Sequence, residues 1–427
     1  MLNDMEMTHY HKKLYDIVAA LLLCFAATCL FAACSSDSDE DDDNDKTEHP
    51  GEGTDESVSR TVLVYMVAEN TLASVAQQDI TEMVVGYANG SYGKRCRMVI
   101  YVDDLKLPRI YVLDENTHAM SYADLVPVVT YDQDVNSASV EVLGDFIDYV
   151  HAHYPADSYG LVLWSHATGW IPSFFSGDKE KASRAFGVDN GGNRYYDNGN
   201  QMEIADLAAM LEAKGGVDYI LFDACFMQSV EIAVELTNAT KAIIASPAEV
   251  PSPGANYQTL VNALFADGEC ADSICKTYYE EYSRPYSDYG VVVSRVKTSA
   301  IPAFVDYMRT VLHGRQEQLV NMDISDRLNY FRFSTQYIYP DICDMQGIMA
   351  KLLDEEAYNQ WLEEVQKVVL CYSTDTWCSF NGGYREVIKD QCSGMSMFVP
   401  LKQYDNFTNT FNRDFLATKW AQAVWGD

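Results

Sequence analysis

One cysteine and one histidine occupy places in the sequence where they could do chemistry. Cys225 lies in Val217–Gln228, which reads VDYILFDACFMQ. Val217 to Phe222 is apolar apart from Asp218 and reads as a buried strand. Gln228–Thr237 has helical content, with Val230, Ala233, Val234 and Thr237 on one face. A thiol between strand end and helix start sits in the crevice where open α/β sheets bind ligands. It also meets the positive end of a helix dipole, a setting that lowers a thiol pKa. The chemistry implied is nucleophilic attack, and it needs a base: an ordinary thiol at about 8.5 is only a few per cent thiolate at neutral pH. His166, in Ser165-His-Ala-Thr-Gly-Trp170, directly follows the apolar run Tyr159–Trp164. An imidazole at the same sheet edge would take the thiol proton and return it to a leaving amine. Alone, a cysteine or a histidine is more often structural. Their joint placement argues for catalysis.

Asp223 stands two residues before Cys225, so continued strand alternation would project both to one side. Three roles suit it. It could floor a pocket for a basic side chain, bidentate with Arg and a point charge with Lys. It could orient His166 as a third catalytic member, or it could cap the next helix.

The elements that must position these residues alternate in type. Thr61–Ala68, Cys96–Val102, Arg109–Leu113, Tyr159–Trp164, Val217–Phe222 and Lys241–Ser246 read as strands. Helical spacing falls at about 72–86, at Val140, Leu143, Phe146, Ile147 and Val150, and at Ile204, Leu207 and Leu211. Strands alternating with helices of this length give an α/β fold with a mainly parallel sheet covered on both faces. Tyr289–Ser294 reads as one more strand of the same sheet. Residues 299–372 are mainly helical, Ser393–Pro400 is a late strand, and the tail through Trp425 is an amphipathic helix. The expected division is therefore residues 1–33 as a signal, 34–59 as an acidic linker, 60–298 as the catalytic domain, and 299–427 as a mainly helical region packed on it.

The amino terminus bears on location. His11, Lys12 and Lys13 precede the apolar run Leu14–Phe31, which ends in Phe31-Ala-Ala-Cys34. This is the pattern of a secretory signal. Ala-Ala-Cys resembles a bacterial lipobox, which would make Cys34 the lipidated first residue of the mature chain. The acidic run behind it resembles the export tag of surface lipoproteins in some two-membraned bacteria. The expected place is the outer membrane, lipid-anchored, at the cell surface or in the periplasm. Residues 37–58 carry eleven acids and one lysine, −10 of the formal −33. The rest is acidic too, which disfavours nucleic acid and favours cationic polypeptides as partners. Eight of the eleven cysteines lie beyond Cys34, with no zinc-module spacing among them, and the eight histidines form no cluster.

Taken together, Ser-His166-Ala-Thr-Gly-Trp, Asp223-Ala-Cys225-Phe-Met and Ser246-Pro-Ala-Glu249-Val-Pro251-Ser-Pro-Gly254 resemble the clostripain family of cysteine peptidases. Asp341-Ile-Cys-Asp-Met345 and Gly394–Pro400 look like its later landmarks, so the likeness runs from about Val62 to the end. It implies a caspase-like αβα sandwich and a Cys–His dyad that cleaves after Arg or Lys. Carried over, Cys225 is the nucleophile, His166 the general acid/base and Asp223 the specificity residue. The N–H groups of Ala167 and Cys225 would hold the oxyanion, with Ala167 standing where the family more usually has glycine. The family often matures by self-cleavage between the two catalytic residues. Here the segment 171–200 offers Lys179, Lys181 and Arg184. The dyad requires no cofactor. Clostripain is linked to calcium, and although this chain is rich in acids it has no EF-hand spacing, so calcium is a candidate ligand without an assigned site. The rival expectation is a catalytically inactive lipoprotein of the same fold that binds or adheres at the surface; its 29 tyrosines would suit glycan contact.

Overall fold

The computed structural model describes residues 59–90, 96–172, 184–193, 195, 199–284, 289–330, 341–379, 383–406 and 411–425. Cys34, the expected signal and nearly all of the expected linker lie outside them, as do Lys179 and Lys181; of Arg184 the backbone alone is described. No helix among the described residues is long and apolar enough to cross a membrane.

The strands run β1 (Arg60–Val67), β2 (Cys96–Asp103), β3 (Arg109–Leu113), β4 (Val129–Thr130), β5 (Tyr159–Trp164), β6 (Ala167–Pro172), β7 (Arg184–Asp189), β8 (Asn200–Glu203), β9 (Tyr219–Asp223), β10 (Ala242–Ala245), β11 (Val292–Lys297), β12 (Ile342–Asp344), β13 (Val369–Ser373), β14 (Thr376–Ser379), β15 (Gly383–Glu386) and β16 (Ser396–Phe398). The main sheet has nine of them, in the order β13-β11-β10-β9-β5-β1-β2-β3-β4. Its centre, β10-β9-β5-β1-β2, is parallel, and the strands outside it are antiparallel. β1 is buried along its whole length, so both faces of its apolar run are used.

The helices are α1 (Ala73–Asn89), α2 (Val140–His153), α3 (Ile204–Ala213), α4 (Val230–Glu235), α5 (Tyr257–Leu264), α6 (Ala271–Tyr282), α7 (Ile301–Leu312), α8 (Gln316–Val320), α9 (Met345–Leu352), α10 (Glu355–Val368), α11 (Phe411–Leu416) and α12 (Lys419–Trp425). Alternate residues of β1 divide between two cores. Leu63, Tyr65 and Val67 pack with α2, α3, α4, α7 and α12, while Val62, Val64 and Met66 pack with α1, α5 and α6. The result is a three-layer αβα sandwich whose buried core residues, among those described, run from Val62 to Val424.

Three expectations change. The boundary at 298/299 is crossed by the sheet itself: β13 pairs with β11, and α12 packs against α4 and α7. The region beyond 299 is also less helical than expected, because it holds β12 to β16. The segment 171–200 is only partly loop. β6, β7 and β8 form a separate three-stranded sheet, and Arg184 opens β7.

Candidate active site

Two parallel strands bring the candidate pair to one edge. β5 and β9 are neighbours in register, with Trp164 opposite Asp223. His166 and Cys225 each lie two residues past that last pair, at the carboxyl end of the sheet. Both residues therefore stand at one edge of the sheet.

His166 is held from the β1–α1 connection. Its Nε2 is 2.8 Å from Thr71 Oγ1, and its carbonyl accepts Gly187 N–H at 3.0 Å. The connection is itself fixed by Asn70, fully buried, whose Nδ2 donates to the carbonyls of Val67 at 2.9 Å and Val188 at 2.8 Å. Ser165 Oγ donates to Val67 O at 2.7 Å and accepts Val188 N–H at 3.1 Å. Ala167 opens β6 opposite Phe186.

Cys225 is 8% exposed. Its Sγ accepts the Val250 N–H at 3.3 Å. Burial pushes the thiol up to about 12; Glu249 and Asp223 add to the rise, and the Val250 hydrogen bond opposes it. This corrects the expectation of a dipole-activated thiol: α4 starts five residues later, capped by Ser229, and burial wins. Next in the chain, Phe226 adopts φ +62°, the sole positive φ at a non-glycine among the described residues. Its N–H reaches Ala248 O at 3.0 Å. Gly169 (φ +69°) lies so close that a Cβ there would come within 2.7 Å of Phe226 O. The histidine loop and the thiol loop therefore touch at a position that only glycine fits.

Asp223 does not share a side with Cys225 by strand alternation, because β9 ends at Asp223. Its Oδ2 accepts Ala255 N–H and Tyr257 O–H, each at 3.0 Å, and its Oδ1 accepts Tyr278 O–H at 2.9 Å. Burial raises its pKa against these donors. Gly254, at φ +60°, leaves room that a Cβ 2.8 Å from Asp223 Oδ2 would fill. Asp79 is close by, holding Trp164 Nε1 at 2.7 Å. Burial, then the charge of Asp223, lifts Asp79 to about 9, and Glu82 is raised as well. No basic side chain is paired with Asp79, Glu82 or Asp223 among the described residues.

A second group of acids lies along the same edge. One carboxylate oxygen from each of Glu69, Asp103 and Asp134 falls within 4.8 Å of the others. Burial, then neighbouring carboxylates, pushes Glu69 up to about 7 and Asp103 to about 8.

The sequence model of the Clostripain family matches residues 64–424. The chain belongs to the clostripain family of cysteine peptidases. A curated relative, clostripain of Hathewaya histolytica, is 24% identical over 227 residues. That alignment takes in 49% of this chain and 42% of the relative, so the chain spans less than half the length of the curated relative it matches. Among solved structures, an inactive zymogen C11 protease from Parabacteroides distasonis is 28% identical, with TM-score 0.72, covering 86% of this chain and 98% of its own. A secreted C11 cysteine protease from Bacteroides thetaiotaomicron, in complex with an irreversible peptide inhibitor, is 30% identical, with TM-score 0.71, covering 86% and 99%.

The clostripain-family landmarks have physical work here. Ser246–Gly254 supplies Ala248 O to Phe226, Val250 N–H to the thiol and the gap at Gly254 for Asp223. Asp344 accepts from Ser393 N, Ser393 Oγ, Gly394 N and Tyr330 O–H, which joins the two later landmarks. Sequence reading missed Asn70 and Thr71 as site residues, since Glu69-Asn-Thr71 reads as loop and cap; a polar triplet at a strand's carboxyl end was the available signal. Cys225 is a free thiol.

Proposed function

We propose that this chain is an endopeptidase that cleaves after Arg or Lys through Cys225 and His166. The supporting observation is the β5–β9 register, with Trp164 opposite Asp223, which brings both residues to one sheet edge. His166 takes the thiol proton as Sγ attacks the scissile carbonyl carbon, and the N–H groups of Ala167 and Cys225 hold the oxyanion. The C–N bond breaks, the amine leaves with the proton from His166, and an acyl-enzyme remains. Water, deprotonated by His166, then releases the acid and restores the thiol.

Preference for a basic residue rests on Asp223, backed by Asp79 and Glu82. Three carboxyl groups, burial-raised and unmatched by a cation, favour a positive guest over any other. Self-cleavage in the 171–200 segment, at Lys179, Lys181 or Arg184, would follow from the same preference. The buried, neutral thiol fits a chain that is latent until cut, and one family neighbour is described as an inactive zymogen. Lipidation at Cys34 would tether the enzyme to the outer membrane, at the cell surface or in the periplasm, where basic polypeptides are its substrates. The thiol's state also keeps a second reading open: a catalytically silent surface module for binding or adhesion.

The chain from Ser57 onward, intact and after nicking within 173–183, is to be given peptides ending in Arg, Lys and Asp before a fluorophore. Turnover of the first two, lost in Cys225→Ala and His166→Ala, is expected. Absence of turnover in both forms would leave the silent module. If Asp223→Asn lowered turnover of every peptide alike, the pocket role would be wrong.

A further inference from the structure

The three acids at the ends of β1 and β2 and ahead of α2 take no part in the dyad. Glu69 is 4% exposed, Asp103 is fully buried, and Asp134 is exposed, so the group runs from the interior to solvent. Charge alone would not make this a site, but the hydrogen bonding of Asp103 points to a ligand. Its Oδ2 accepts Ser137 O–H. Its Oδ1 is buried and has no hydrogen-bond partner. An unpaired carboxylate oxygen cut off from water is costly. The acids beside it carry no such debt: Asp189 receives Ser137 N–H at 2.6 Å and Gly191 N–H at 2.9 Å, and Asp104 is paired with Arg109. The charges that act most on Glu69 and Asp103 are all negative.

We propose that Glu69, Asp103 and Asp134 hold a calcium ion that fastens the segment after β7 to the loop positioning His166. Donors that are all carboxylate oxygens select a hard cation. One oxygen from each lies within 4.8 Å of the others, close enough to share a single ion at Ca–O distances of about 2.4 Å. Magnesium keeps several waters and usually takes one or two carboxylates, so a set of three carboxylates suits calcium better. The ion supplies charge neutralisation and cross-linking, and the dyad's proton transfers do not pass through it.

What it would cross-link follows from the neighbours. Glu69 Oε2 accepts Gly192 N–H, and Glu69 O accepts Asn190 N–H at 3.1 Å and Asn190 Nδ2 at 3.2 Å. Those residues directly follow β7, downstream of the candidate cleavage residues Lys179, Lys181 and Arg184. Two residues beyond Glu69, Thr71 meets the His166 ring. Ordering Glu69 therefore orders the support of the general base and the strand end left behind by a cut. The site stands whether or not the Arg/Lys preference proposed above is correct.

Terbium is the probe. Tyr101 O–H lies 2.7 Å from Ser137 Oγ, which bonds Asp103, and Tyr65 O–H donates to Ser137 O at 2.7 Å. A lanthanide at the site would then be sensitised by tyrosine. The chain from Ser57, without the acidic linker, is expected to show saturable emission displaced by calcium. Asp134→Asn, a change at an exposed position, and Asp103→Asn are each expected to weaken terbium and calcium at least tenfold; Glu363→Gln, remote and exposed, leaves both unchanged. Calcium should raise the melting temperature and slow amide exchange at Gly191 and Gly192 in the parent but not in Asp134→Asn. No saturable emission, or emission and calcium response retained in Asp134→Asn, overturns the site. Displacement by magnesium at the same concentration as calcium overturns the assignment of the ion.

Discussion

The ionisation state of Cys225 in the uncut chain can be read from its alkylation rate. With its pKa pushed up to about 12, the thiol is roughly 3 × 10⁻⁵ ionised at about pH 7.5, against about a tenth for an ordinary thiol at about 8.5. The deficit in thiolate is about 3,000-fold. A more basic thiolate is also more nucleophilic, and a Brønsted slope of about 0.45 over about 3.5 units returns a factor of roughly 40. Iodoacetamide should therefore label Cys225 roughly 80-fold more slowly than an unhindered thiol, before any steric loss. Mass spectrometry of the peptide containing Cys225 separates it from the other thiols. The logarithm of its rate should climb with unit slope from about pH 6.5 to about pH 10.5, with no plateau. A plateau below about pH 8 in the intact chain would mean an activated thiolate and refute the burial argument. Nicking within 173–183 should shift the profile toward such a plateau, if the latent peptidase is the correct reading.

Other perturbations have signs fixed by the same contacts. Asp223→Ala strands Ala255 N–H and the hydroxyls of Tyr257 and Tyr278, which should cost about 3 kcal/mol or more in a urea titration. Asp79→Asn should stabilise: with values of 3.8 unfolded and about 9 folded, the unfolded chain gives up its proton through that window while the folded chain keeps it. Stability therefore falls as pH rises from about 4 to about 9, by up to about 4 kcal/mol at pH 7. The variant should have a higher melting temperature at pH 8 and a flatter pH dependence, and no change would refute the burial of that charge. Gly169→Ala, meeting Phe226 O at 2.7 Å with φ +69°, should lose about 2 kcal/mol or more by thermal unfolding.

The sheet was legible where strands are buried on both faces. Tyr159–Trp164 and Arg109–Leu113 were read with the bounds they have, because an apolar run between polar turns has no other stable use. β7 escaped because Arg184–Asp189 mixes charge and glycine within a polar stretch, and its pairing with β6 and β8 is set by tertiary contact. β13 was read as part of a helical region because Val369–Ser373 runs on directly from α10. The candidate dyad was legible because sheet topology alone aligns strand ends. The electrostatics were not. Cys225 is buried by the segment around Val250, 25 residues on, and Asp223 is held by tyrosines 34 and 55 residues away. Local helix geometry argues for a lowered thiol pKa, and distant packing reverses the sign.

That reversal has a consequence for the order of events on binding. After burial, the charges that raise Cys225 are those of Glu249 and Asp223. Asp223 is also the group proposed to receive a basic side chain. A guanidinium at Asp223 would therefore cancel one of the two charges that add to burial in holding the thiol neutral, so that the correct substrate helps ionise its own nucleophile. If the thiol pKa fell by about one unit, thiolate would rise about tenfold and lose roughly threefold in nucleophilicity, a net gain of about 3.5-fold in alkylation rate. A small guanidine such as ethylguanidine, added to the nicked chain, should speed the labelling of Cys225 by about that factor. The same concentration of sodium chloride should not. Asp223→Asn should abolish the acceleration, since the neutral amide leaves no charge to cancel. Protection of Cys225 by the guanidine, or equal acceleration in Asp223→Asn, would separate specificity from activation and leave Asp223 as a structural anchor for the tyrosines around it.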